Sequence, residues 1–112
     1  MVERYEEVER GTLEALARLI RSARGSVVTF TCKRLAKMAG LSTKPITLTL
    51  VREVLEQLRR EGLLSIYRIS SHGIKYMITR DSPLWRYIKA GNPTPSSLAE
   101  LITQIKAMVR EH

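Results

Sequence analysis

The chain is poor in the residues most chemistry needs. It has one cysteine, Cys32, so no disulfide can form within it, and a reducing compartment is expected. Asp81 is its one aspartate, and its two histidines are His72 and the terminal His112. Neither a Ser, His and Asp set nor a metal-ligand spacing can be read from so few groups. There is no Gly-rich phosphate loop, internal repeat or low-complexity tract. No apolar run approaches the roughly 18 residues of a membrane span. The glutamate-rich start lacks the basic and then apolar order of a secretory signal, so a cytoplasmic location is expected. Catalytic residues, metal ligands and cofactors are accordingly expected to be none.

What the chain has is positive charge. Nineteen Lys and Arg face 11 Asp and Glu, a net +8 over 112 residues, with a pI of about 10.2. From position 18 to 89 there are 15 basic residues against Glu53, Glu56, Glu61 and Asp81, a net +11, so the two ends together carry −3. A basic centre between acidic ends points to a polyanion met by one surface, and nucleic acid leads the candidates. A heat-adapted surface would also be charged and poor in Asn and Gln, but it would mix the signs more evenly. A mass of 12.8 kDa with 44% hydrophobic residues fits one domain plus a terminal element.

Hydrophobic spacing gives the organisation. Val2, Tyr5 and Val8 recur at roughly helical spacing among four glutamates, which predicts an acidic helical extension over 1–11, interrupted by Gly11. Thr12 can cap a new helix carrying Leu13, Leu16, Ala17, Ile20 and Ala23 and ending at Gly25. Residues 26–30 are β-branched and short, a strand, after which Thr31 caps a second helix with Leu35, Ala36 and Ala39 inward and Lys33, Arg34 and Lys37 outward. Gly40 ends it. A third helix is predicted over 48–61, because capping at Thr47 keeps that threonine out of the apolar arc and makes Ile46 and Val51 a hydrophobic staple. Residues 64–70 and 74–79 form a hairpin around Ser71, His72 and Gly73. Its faces are predicted to carry Tyr67, Ile69, Ile74, Tyr76 and Ile78 on one side, and Leu64, Ile66, Arg68, Lys75 and Met77 on the other. A short helical turn at Leu84, Trp85 and Ile88 precedes a Pro-containing linker and a last helix beginning at Pro95.

The segment Leu35-Ala36-Lys37-Met38-Ala39-Gly40-Leu41, the leucine-spaced run from Val51 to Glu61-Gly62-Leu63-Leu64, and the basic hairpin after it together resemble the winged helix-turn-helix family over about 12–80. One departure is the stretch from Gly40 to Thr47, longer than the roughly 3 to 4 residues of a tight turn. Either the turn is extended or the third helix starts earlier. The resemblance implies a mostly α fold with a small antiparallel β wing, a winged helix-turn-helix domain over 12–82, and an additional C-terminal helix in an extension over 83–112. It also implies double-stranded DNA as partner, with the head of the third helix in the major groove. That nominates Thr47, Thr49, Arg52 and Glu53 for bases, Lys33, Lys37, Ser42, Thr43 and Lys44 for phosphates, and Arg68, His72 and Lys75 on the wing. Glu53 and Glu56 have a second reading, pairing with Arg52, Gln57, Arg59 or Arg60 along the helix. Tyr67 and Tyr76 read as a cross-strand pair. Cys32, beside Lys33 and Arg34, is either a redox-sensitive thiol or a small buried residue.

Leu98, Leu101, Ile105 and Met108 form an a/d seam over about two heptads, too short to stand alone in water. It either folds back on its own domain or joins a second copy as a dimerisation element. The expected protein is a sequence-specific transcriptional regulator, binding DNA as a homodimer in a nucleoid-associated setting. The alternatives are a non-specific architectural DNA-binding protein and a protein interaction module in a nucleoprotein assembly.

Overall fold

The helix break expected at Gly11 does not occur. In a computed structural model describing residues 4–110, the first helix, α1 (Tyr5–Ser22), runs through Gly11 without interruption. A glycine inside a helix costs about 1 kcal/mol relative to alanine, but here its missing side chain makes room. A Cβ at position 11 would lie 3.2 Å from the Cβ of Ala39. Thr12, expected to cap, is instead fully buried in mid-helix, and its hydroxyl has no hydrogen-bond partner among the described residues.

Past Gly25 the chain follows the expected order: β1 (Val27–Thr31), α2 (Cys32–Met38), α3 (Pro45–Arg60), β2 (Ser65–Ser70), β3 (Gly73–Thr79), α4 (Pro83–Lys89) and α5 (Leu98–Arg110). The described residues thus form five helices and one small antiparallel sheet. Thr31 caps α2 by accepting a hydrogen bond from the Arg34 amide. Gly40 and Gly62 close α2 and α3 with φ of 71° and 73°. In both, the following leucine amide reaches back five residues, Leu41 to the Ala36 carbonyl and Leu63 to the Leu58 carbonyl.

The third helix begins at Pro45, three residues before the expected start. Proline at the first helical position needs no amide partner and presets φ. The Lys44 amide donates to Ser42 Oγ, while the Lys44 carbonyl accepts the first helical bond, from Leu48. Thr47 therefore lies inside the helix, 3% exposed among Val51, Val54 and Leu58, the placement that capping at Thr47 was meant to avoid. Ile46 is no staple, since 56% of it is exposed.

The sheet order is β1-β3-β2, and the hairpin turns through Ser71 and His72 with Gly73 at φ 116°. A bulge falls between Ile66 and Arg68, so Ile66 stands opposite Tyr76 and Tyr67 is displaced from the expected Tyr67–Tyr76 pair. Tyr76 instead stacks on Phe30, ring centroids 6.2 Å apart. Beyond the sheet, Ser82 caps α4. The last helix starts at Leu98, not Pro95. There Glu9 Oε1 accepts from the Leu98 amide and Ser97 Oγ from the Glu100 amide.

Packing against α1 and α4 buries Leu98, Leu101 and Ile105 of α5 within the same chain, and Met108 is partly buried beside them. The proposed dimer seam thus faces its own domain. No helix among the described residues is long and apolar enough to cross a membrane.

Candidate nucleic-acid interface

Charge is segregated in the fold as it is in the sequence. Among the described residues three ion pairs form: Arg59–Glu56 at 2.7 Å, Arg60–Glu53 at 3.9 Å and Lys106–Glu61 at 3.3 Å. All three use the carboxylates of α3 and its C-terminal cap. Lys33, Lys37, Lys44, Arg52, Arg68 and Lys75 have no carboxylate partner within this set.

Three elements place a subset of these cations around one cleft of about 400 Å³. The head of α2 supplies Thr31, Cys32 and Lys33, the first turns of α3 supply Leu48, Thr49 and Arg52, and the hairpin supplies His72, Gly73 and Ile74. The pairing of Thr31 with Lys75 explains the approach: β1 ends beside the hairpin and turns directly into α2. Of the nominated residues, Lys33, Thr49, Arg52 and His72 are therefore brought together. Lys37 lies one turn along α2 from Lys33 and is exposed, while exposed Thr43 and Lys44 lead into α3 with half-buried Ser42.

One nomination is overturned, and two others fall outside the cleft. Thr47 faces the core and cannot contact an outside ligand, because α3 starts early enough to turn it inward. Arg68 and Lys75 are directly paired across the hairpin, on the sheet face opposite Tyr76. They form a second cationic patch outside the cleft. Like charges in that position destabilise a sheet unless an anion lies over them.

The carboxylates of α3 do not line the cleft, although Glu56 lies near enough to Arg52 for that cation to help lower its pKa. Glu56 takes a two-pronged contact from Arg59 and a 2.7 Å hydrogen bond from the Tyr76 hydroxyl. The Arg59 contact and then the Tyr76 bond lower the Glu56 pKa to about 2. Burial, and then the Glu56 bond, raise that of Tyr76. Glu53 accepts from Gln57 at 3.5 Å and approaches Arg60. The pairing reading of both glutamates is the one realised. Sequence spacing could flag Arg59, but Tyr76 lies twenty residues from Glu56, and only the tertiary fold joins them.

A depressed carboxylate pKa stabilises the fold above the unfolded value near 4.5, and that stabilisation disappears as pH falls towards 2. The expected size is about 2 kcal/mol, reduced from the full shift because the Arg59 guanidinium is reached by solvent. Urea unfolding from pH 6 to pH 2 should show this loss in the native chain and a flatter profile in Glu56→Gln. Parallel profiles would remove the contribution.

Of the two readings of Cys32, its surroundings favour the small, partly buried residue over the redox-sensitive thiol. Burial raises its pKa, and Arg52 opposes this only in part. The described residues contain no group of three or more His, Cys, Asp or Glu side chains able to hold a metal ion. Comparison with known proteins finds no matching family model, no matching curated relative and no matching solved structure.

Proposed function

We propose that this chain is a non-enzymatic, double-stranded DNA-binding protein on the winged helix-turn-helix plan, acting as a sequence-specific transcriptional regulator in a nucleoid-associated, cytoplasmic setting. The observation that carries the reading is the cleft at the head of α3, rimmed by Lys33, Arg52 and His72, while α3's own glutamates are tied to Arg59, Arg60 and Tyr76. The order α1-β1-α2-α3 followed by a hairpin supports it.

In this reading the exposed first turns of α3 lie in the major groove, which admits one helix. Lys33, Lys37, Thr43 and Lys44 meet phosphates. The hairpin, as the wing, sets Arg68 and Lys75 against the backbone or minor groove. Dimerisation on a palindromic site would need a surface other than the buried α5 seam, and exposed Val109 marks the apolar strip left on that helix.

The test is binding to a labelled random duplex across a salt series, with unlabelled genomic fragments as competitors. Steep salt dependence with a few strongly competing fragments is expected. Equal competition by all fragments would favour the architectural alternative. Lys37→Ala and Lys75→Ala should each weaken every sequence alike and make the salt slope shallower by roughly one. Exposed Tyr67 and Ile69 on the edge strand β2 favour a second reading, a protein interaction module, which the absence of DNA binding at low salt would select.

A further inference from the structure

The head of α3 is apolar where a DNA-reading helix would be polar. Ile46, at its second position, is 56% exposed, one of five large apolar side chains left open among the described residues. At 100° per residue it lies about 60° from Thr49 and about 20° from Glu53, on the arc opposite buried Val51 and Leu58. Thr49 adds to this surface. Its hydroxyl donates to the Pro45 carbonyl at 2.9 Å, turning back along the helix, so its methyl group is what it offers outward. Beyond Thr49 lies exposed Arg52, about 120° round the helix from Ile46, while Glu53, on the Ile46 side, is engaged by Gln57 and Arg60.

Thr49 lines the cleft with Lys33 and Arg52, and Lys44 stands two residues before Ile46; these three cations form no ion pair among the described residues, and an apolar surface beside them has a specific complement in duplex DNA. The major groove offers one apolar group, the thymine C5-methyl, and it is always flanked by phosphates. We infer that Ile46 and the Thr49 methyl group read thymine methyls at the head of α3, so that the preferred site carries thymine there, followed by the base contacted by Arg52. This rests on the DNA-binding reading and specifies its substrate.

The test replaces thymines with deoxyuridine, one at a time, in the best fragment from the competition experiment. The substitution removes the methyl group and keeps base pairing. Anisotropy titration should show affinity falling roughly fourfold at one or two positions, the worth of a buried methyl group. Ile46→Ala should lose the discrimination at the thymine nearest Ile46 and keep that at a thymine beside Thr49, and Ile46→Val should keep most of the discrimination at both. Since Ile46 is largely exposed, both variants should melt with the native chain. Equal binding of all the duplexes by the native chain would overturn the inference and leave DNA binding standing. Discrimination unchanged at every position in Ile46→Ala would remove Ile46 from the role. No binding to any duplex would overturn both readings and assign this face to a protein carrying an apolar knob among acidic groups.

Discussion

Truncating Leu101 to alanine is expected to lower the unfolding free energy by about 3 kcal/mol, within the 2 to 5 typical of a buried leucine. Leu101 is 1% exposed, with Leu98 and Ile105 on the same face of α5, which packs on α4, where Leu84, Trp85, Tyr87 and Ile88 are buried and the Tyr87 hydroxyl donates to Gln104 of α5. The truncation removes both the transfer energy and the contacts around the residual cavity. Urea unfolding followed by circular dichroism would measure the loss, and sedimentation would show an unchanged mass. The opposite pattern, native stability with a change of oligomeric state, would mean that the seam faces a second copy. Deleting 95–112 should accordingly disrupt cooperative unfolding by uncovering the α4 face, and not yield a well-folded monomer.

The second large effect concerns binding. On the proposed DNA-binding reading, Arg52→Ala should cost about 1 to 3 kcal/mol on a specific DNA site and much less on random duplex. Arg52 lines the cleft between Lys33 and His72, and its guanidinium has no ion pair or hydrogen bond to another described residue. That leaves its planar fork available for the edge of a guanine. Arg52→Lys should restore charge but not discrimination, because an ammonium cannot make the two parallel bonds. Titrations of the three proteins on specific and random duplexes would decide. Equal losses on both DNAs would reduce Arg52 to a phosphate contact.

The order of elements was legible because local signals agree with the tertiary structure. Thr31 caps where a hydroxyl precedes a helical pattern, and Gly40, Gly62 and Gly73 take the positive φ that their turns require. Reading failed where a contact distant in sequence overrode a local preference. Gly11 looks like an interruption until the close approach of Ala39, at the end of α2, is seen to leave little room for a Cβ, and Thr47 looks like a cap until Pro45 starts the helix first. The bulge at Tyr67 shifts one strand by a residue and leaves no mark in the alternation of its neighbours.

The site was legible in the same measure. Lys33, Thr49, Arg52 and His72 stand out as residue types at suitable spacing, and the fold gathers them. The capture of Glu56 by Tyr76 and the exposure of Ile46 depend on the sheet register and on where α3 starts. Periodicity specifies neither.

The bond from the Leu98 amide to Glu9 has a consequence for how the chain folds. It joins groups 89 residues apart, so nearly the whole polypeptide must be in place before it can close. The entropy of closing so long a loop is lost before the contact offsets it, whereas α2, α3 and the hairpin close over short distances. Docking of α5 is thus expected late in folding, with Glu9→Ala mainly accelerating unfolding and leaving the refolding rate nearly unchanged.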